Sequence, residues 1–282
     1  FVCFAVLFWF FCTKMFTTLI TGGASGLGFA VAKQLAQNGV CHRIVLGDLN
    51  EDLGQERVAE LNQLMRETSG FEALFVLCDV TKTDQVHALV GVASARSQSH
   101  PLRLVVNSAG IGFPARLVSG NGEPADRDVF ARVVDINLMG TFDVCRLASS
   151  AMVKHSSIAA DGTRGLIVNV ASVAAFEGQI GQLAYSASKG AVVAMTLPLA
   201  RDLARHGIRA MTVAPGVMET PMMASAPAKT REGLTADVVF PKRFGTAEEF
   251  AQLVEHLWQN KYFNGETVRL DAAIRMPPVS RL

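Results

Sequence analysis

Seven short apolar runs, each separated from the next by a longer stretch with helical spacing, constrain the fold of this chain more than any other feature. The runs are 17–21 (TTLIT), 43–48 (RIVLGD), 73–78 (ALFVLC), 102–106 (LRLVV), 166–171 (LIVNVA), 208–213 (IRAMTV) and 266–270 (ETVRL). Several are apolar almost throughout instead of alternating, which marks strands covered on both faces. Such strands alternating with helices predict an α/β fold: a doubly wound, seven-stranded, mainly parallel sheet flanked by helices.

The intervening segments agree. Val129, Val133, Ile136, Gly140, Val144, Leu147 and Ala151 step by three and four, predicting one long packed helix over about 126–153. Asn38-Gly39 and His206-Gly207 stand where helices should end before strands. Thr246 with Glu249 has the pattern of a capping box opening a helix. No linker, low-complexity tract or repeat interrupts residues 16–282, so 15–282 reads as a single domain. Its irregular stretches are 112–124, 155–165 and 214–245, and loops this long in a compact domain are functional or exposed insertions.

Residues 1–12, FVCFAVLFWFFC, need separate treatment. As a helix they would reach about 18 Å, short of a hydrocarbon core of roughly 30 Å. They have neither the basic start and cleavage site of a secretory signal nor the Arg-rich amphipathicity of a mitochondrial presequence. Met15 precedes the first predicted strand, so 1–14 is expected to be a non-native or disordered apolar leader. A short membrane anchor or an added packing element is the alternative.

With 50% hydrophobic and 18% charged residues, disorder, coiled coil and collagen are excluded. A formal charge of +1 implies no global attraction to nucleic acid or acidic membranes, leaving only a local basic patch open. The five cysteines (Cys3, Cys12, Cys41, Cys78, Cys145) are scattered, with no C-x-x-C pair. That pattern disfavours a disulfide framework and a metal site, and points to buried thiols in a reducing compartment.

The first strand runs into Thr21-Gly22-Gly23-Ala24-Ser25-Gly26-Leu27-Gly28 and then a helix. Glycines there allow a pyrophosphate to approach the backbone, and the helix start favours the anion. The glycine spacing alone is weak evidence, and a tight turn without function is its alternative. Asp48, at the end of the second strand, is placed to bind ribose hydroxyls and to repel a 2′-phosphate. Neither Leu49, Asn50 nor Ser25 is basic, so NAD is favoured over NADP.

Tyr185 and Lys189 are four residues apart in a helical stretch and therefore share a face. An ammonium beside a tyrosine favours the phenolate, bringing a poor base toward the working pH range. Ser172 ends the fifth strand, at the sheet edge where ligands bind, and its hydroxyl can orient an alcohol or carbonyl.

TGGASGLG at 21–28, NSAG at 107–110, Asn137, Ser172, YSASK at 185–189 and PG at 215–216 together resemble the short-chain dehydrogenases/reductases, in that family's order and spacing. The resemblance implies a Rossmann-type domain binding NAD. It implies catalytic roles for Asn137, Ser172, Tyr185 and Lys189, with Ser172 and Tyr185 also touching substrate, Lys189 binding the nicotinamide ribose and Asn137 supporting a water behind Lys189. It implies dinucleotide contacts from Gly22, Ser25, Gly26, Leu27, Gly28, Asp48, Asp79, Val80, Asn107, Ser108, Ala109, Gly110, Tyr185, Lys189, Pro215, Met218 and Thr220. Ser108 stands where the family often has Asn or Cys.

INLMGTF, ASVAAFEGQIGQLAYSASKG, MTLPLARDL and NGETVRLDAAIRM narrow the resemblance to a subgroup that oxidises short-chain 3-hydroxyacyl-CoA and, more promiscuously, hydroxysteroids. Members of that subgroup are mitochondrial homotetramers, so a mitochondrial location and a homotetramer are implied, with a cytoplasmic location as alternative. An acyl-carrier-protein reductase is a further enzyme reading, and Asp48 weighs against its NADPH form. In animals such proteins also serve as scaffold subunits of a tRNA-processing complex, so nucleic acid enters only through a secondary role. Segment 217–245 reads as the substrate-binding loop: Met218, Met222, Met223, Leu234 and Phe240 over an acyl chain, and Lys229, Arg231, Lys242 and Arg243 for CoA phosphates. The alternative for each cation is a solvated helix surface.

Overall fold

In a computed structural model, residues 15–154, 162–224 and 228–278 are described, without the side chains of 221, 222, 229 and 230. The leader 1–14 with Cys3 and Cys12, most of the 155–165 insertion, and the side chains of Met222 and Lys229 lie outside the described residues.

The seven apolar runs form β1 (Thr17–Thr21), β2 (Arg43–Asp48), β3 (Glu72–Leu77), β4 (Leu102–Asn107), β5 (Gly165–Val170), β6 (Ile208–Pro215) and β7 (Thr267–Leu270). They make one sheet in the order β3-β2-β1-β4-β5-β6-β7. Every pairing is parallel, so the sheet is parallel throughout. Successive side chains point to opposite faces, which divides the core in two. On one face Ile20, Ile44, Leu104, Val106, Val168 and Met211 pack against Val31 and Leu35 of α1 (Gly26–Gln37) and Phe250, Val254 and Leu257 of α9 (Ala247–Gln259). On the other, Leu19, Val45, Val105 and Ile167 pack against Val86 and Leu89 of α3 (Thr83–Ser94) and Val144, Ala148 and Met152 of α5 (Thr141–Val153). Each such large side chain contributes about 1.5–3 kcal/mol by leaving water, which is why continuous apolar strands require both helical layers. The helix α2 (Glu51–Leu64) covers the β2–β3 edge.

Gly39 (φ 57°) and Gly207 (φ 68°) follow helices in the left-handed conformation, and Thr246 and Glu249 form the reciprocal capping box at the start of α9. The long helix predicted over 126–153 needs correction. It is α4 (Arg127–Val134), a π-helical turn over Asp135–Gly140, and α5. The wider turn shifts the buried stripe, which runs through Val133, Asn137, Val144, Ala148 and Met152, with Leu147 and Ala151 only half-buried.

The remaining helices are α6 (Leu183–Leu203), α7 (Pro221–Ala224) and α8 (Ala228–Asp237). Between β1 and β4 the strand order reverses, so the chain leaves their carboxyl ends in opposite directions and opens a crevice above the sheet.

Candidate active site

A cleft of about 610 Å³ occupies that crevice and runs from Asp48 and Leu49 to Ser172, Tyr185 and Lys189. At the dinucleotide end, β1 delivers the chain into the glycine turn. Gly22 has φ 63°, and a Cβ there would lie 2.8 Å from the Ala109 nitrogen, so this turn can approach the β4 loop only as glycine. The N-cap of α1 is Ser25, whose side chain makes no capping bond, which leaves the first N–H groups of the helix free for an anion. Across the cleft, Thr220 lies 3.8 Å from where a Gly26 Cβ would stand. Asp48 is held by two main-chain donors, Ala24 N–H to Oδ2 and Asn50 N–H to Oδ1, both at 3.1 Å. Those bonds orient the carboxylate at the end of β2. Uncapped amides, glycine walls and a fixed carboxylate in this order fit a dinucleotide.

Of the residues expected to contact the dinucleotide, Gly22, Ser25, Gly26, Leu27, Asp48, Asp79, Val80, Ser108, Ala109, Gly110, Pro215, Met218 and Thr220 line the cleft. Gly28 and Asn107 do not. A Cβ on Gly28 would fall 2.2 Å from the Gly22 carbonyl oxygen, so Gly28 lets the helix pack under the turn. Asn107 is buried, and its Nδ2 donates to Asn169 Oδ1 at 2.9 Å across the β4–β5 pair. Its side-chain amide is therefore turned into the protein, where it joins the two strands.

At the other end, Ser172 follows β5, and its Oγ accepts the Ala174 N–H at 3.1 Å. Tyr185 and Lys189 sit one turn apart near the start of α6, with the ammonium 5.9 Å from the centre of the phenol ring. Lys189 is 5% exposed and donates to the Val170 carbonyl at 2.7 Å. Burial beside a neutral carbonyl pushes its pKa down to about 8. Burial also raises the Tyr185 hydroxyl above its ordinary range, while a hydrogen bond with Ser172 pulls it back. The expectation that the ammonium brings the tyrosine down toward the working range needs correction for the ligand-free cleft, because desolvation is the largest influence on both groups and leaves Tyr185 raised. Each is costly to charge alone, and a phenolate beside an ammonium relieves both costs together.

Asn137 does not border the cleft. Its Oδ1 accepts the Ile111 N–H at 2.8 Å, and its Nδ2 donates to the Ile111 carbonyl at 2.9 Å and to Ser188 Oγ at 3.0 Å. Ser188 in turn donates to the Tyr185 carbonyl at 2.8 Å. The π turn brings Asn137 to this position, where it joins the loop after β4 to the helix carrying Tyr185. Gly110 lies against both groups: a Cβ there would stand 3.1 Å from Asn137 Oδ1 and 3.2 Å from Lys189 Nζ.

Sequence reasoning did not single out Ser188, Ile111, Gln179, Gln182 or Met276, the last four of which line the cleft. Only the three-residue offset of Ser188 from Tyr185 offered a signal. The substrate loop agrees in part. Met218 and Leu234 are buried and line the cleft with Met223, but Phe240 is 80% exposed and lies elsewhere. Of the cations expected to meet phosphates, the three whose side chains are described are already engaged. Arg231 forms a bidentate pair with Glu219 at 2.9 and 2.8 Å, and Arg243 with Glu249 at 2.9 and 2.7 Å. Lys242 donates to the Ala236 carbonyl at the surface. Cys41, Cys78 and Cys145 are free and buried, and burial raises Cys41 and Cys145 to about 12 and Cys78 to about 11. Among the described residues no helix is long and apolar enough to cross a membrane.

Residues 17–231 match the family model described as short chain dehydrogenase. Over 266 residues the chain is 45% identical to 3-hydroxyacyl-CoA dehydrogenase type-2 of Drosophila melanogaster, covering 94% of this chain and 99% of that one. It is 44% identical to the Homo sapiens protein of the same name, covering 94% and 97%. The crystal structure of 3-hydroxyacyl-CoA dehydrogenase type-2 from Mycobacterium avium superimposes with a TM-score of 0.86 at 38% identity, covering 94% of this chain and 97% of that one.

Proposed function

Because this chain belongs to the short-chain dehydrogenase family, we propose that its cleft oxidises short-chain 3-hydroxyacyl-CoA to 3-oxoacyl-CoA with NAD as the nicotinamide cofactor. The observation that carries the reading is that Ser172, Tyr185 and Lys189 meet in one cleft that continues to the glycine turn and Asp48.

The Gly22–Leu27 turn would hold the pyrophosphate, Asp48 the adenosine ribose, and Asp79 with Val80 the adenine. Lys189 would hold the nicotinamide ribose. A nicotinamide bound there supplies the hydride acceptor. Ser172 Oγ and Tyr185 Oη orient the C3 hydroxyl of the substrate. Tyr185, as phenolate, takes the hydroxyl proton while the neighbouring Lys189 ammonium balances its charge. Asn137 acts as a positioning residue, fixing Ile111 on one side and, through Ser188, the Tyr185 turn on the other. Asp48 favours NAD because a 2′-phosphate would face a carboxylate held by two main-chain bonds.

A hydroxysteroid is a second substrate reading, favoured by a cleft wall that includes Met218, Met223 and Met276. Methionine adapts to apolar partners of different shape. Mitochondrial location and a homotetramer belong to the same proposal on the strength of the resemblance; organelle fractionation and light scattering test them.

The decisive experiment follows NADH oxidation with acetoacetyl-CoA by wild type and Tyr185→Phe, with NADPH as the control cofactor. Turnover with NADH that disappears in Tyr185→Phe supports the reading. No turnover by a wild type that still binds NADH would refute the acyl-CoA assignment and move steroids to the front.

A further inference from the structure

The chain after β7 returns to the cleft as a strap. At its start, Ala272 and Ala273 have φ 49° and 60°, a left-handed conformation that alanine avoids. Asp271 holds them there: Oδ1 accepts the Ala273 N–H at 3.1 Å, and Oδ2 accepts from Arg269 at 2.7 Å and Arg275 at 3.3 Å. Glu177, on the loop between Ser172 and Tyr185, grips the strap from the other side. It takes both guanidinium donors of Arg269 at 2.7 and 3.0 Å, the Met276 N–H at 3.4 Å, and pairs with Arg275 at 3.4 Å. Gln179, 5% exposed, donates to the Pro277 carbonyl at 3.0 Å, and the Ile180 N–H to the Pro278 carbonyl at 2.9 Å. Ile274 is fully buried with Val173 and Val238. The strap therefore joins the loop that carries Ser172 to the segment around 238–240.

From this strap Met276 enters the cleft, and it packs onto the same cluster as Val217, close to the residue after Ser172. With Val173 and Val217 it gives this end of the cleft an apolar wall beside the polar groups of Gln179 and Gln182. Both nearby guanidiniums, Arg269 and Arg275, are paired with Glu177 and Asp271, so neither is set toward a phosphate, and the Met276 side chain suits a hydrocarbon tail. We infer that Met276 is a specificity-determining residue, the wall on which the substrate chain beyond the reacting carbon ends, and that Glu177 is the positioning residue that holds it there. The inference rests on the reading of the cleft as a 3-hydroxyacyl site.

The test compares wild type, Met276→Ala, Met276→Trp and Glu177→Gln. Each is assayed with acetoacetyl-CoA, 3-oxooctanoyl-CoA and the ethyl esters of the same two acids, alongside NADH binding by fluorescence. Met276→Ala should raise the long-to-short ratio of kcat/KM by about tenfold or more, and Met276→Trp should lower it by a similar factor, the scale of one methylene in an apolar pocket. Glu177→Gln should move the ratio in the direction of Met276→Ala, with NADH affinity unchanged. A purely structural role for Glu177 would depress both chain lengths equally, and that result would overturn its assignment. An unchanged ratio in both Met276 variants, with NADH binding intact, would overturn the wall. If the wild type turns over the esters but neither thioester, the acyl-CoA reading fails separately, and the ester ratio then decides whether Met276 is the wall.

Discussion

Lys189→Met should change how the stability of the ligand-free protein depends on pH. The Lys189 ammonium is 5% exposed and its hydrogen-bond partner is a neutral carbonyl, so burial lowers its pKa from 10.5 to about 8. Because the folded value lies below the unfolded one, the unfolded chain binds more protons between them. Stability therefore rises as pH increases from about 8 toward 10.5, and the full cost of the buried charge is present below about 8. At 1.36 kcal/mol per unit the whole gap corresponds to about 3 kcal/mol, of which about 2 kcal/mol is recovered between about pH 7.5 and about pH 9.5. Methionine has nearly the same reach and does not titrate. It leaves the Val170 carbonyl without its donor, a penalty of about 1–3 kcal/mol that is independent of pH. Urea unfolding of both proteins across that window, followed by circular dichroism, should give a difference in unfolding free energy that grows by about 2 kcal/mol in favour of wild type. The window stops short of the range where Tyr185, raised by burial, would begin to titrate. Parallel profiles would refute the argument, because they would mean that burial does not disfavour the ammonium in the folded protein.

Asp48→Asn keeps a side-chain acceptor for the Ala24 N–H and removes the charge that opposes a 2′-phosphate. At about 5 Å and with solvent access this repulsion is worth about 1–3 kcal/mol per charge, so the ratio of NADPH to NADH dissociation constants should fall about 10- to 100-fold in fluorescence titrations. Asn137→Ala leaves the Ile111 N–H and carbonyl without their partner and removes the donor to Ser188 Oγ, which should cost about 2–4 kcal/mol in chemical denaturation. It should also lower kcat more than it raises KM. Ala272→Gly relieves a left-handed alanine at an entropy cost in the unfolded chain, for a net gain of about 0.5–1 kcal/mol measured by urea unfolding.

Much of the fold was legible because its signals are local. Each strand carries its own apolar run, and the all-parallel sheet follows from the helical segments between runs. The Gly22–Gly28 turn and Asp48 were legible for the same reason, since each occupies the end of its own strand. The π turn was not, because an extra residue in a helical turn leaves the three-and-four spacing of Val129 to Val144 nearly intact while moving Asn137 onto the buried face. Arg231 and Arg243 read as phosphate-binding cations because a sequence displays the charge and not the carboxylate that meets it. Glu219 is twelve residues from Arg231, beyond any helical pairing distance.

The sequence by itself determined the layered α/β architecture, the glycine turn after the first strand and the Tyr185–Lys189 pair, all of which depend on apolar runs or short spacings along the chain. Tertiary structure alone decided that Asn107 faces Asn169, that Asn137 grips Ile111 and Ser188, and that Met276 returns to the cleft under the hold of Glu177. Those partners are separated by between 26 and 99 residues, and their contacts exist only once the sheet has brought the ends of its strands together. The same assembly removes Lys189 from water, so a spacing of four can nominate this lysine, and only its burial lowers its pKa.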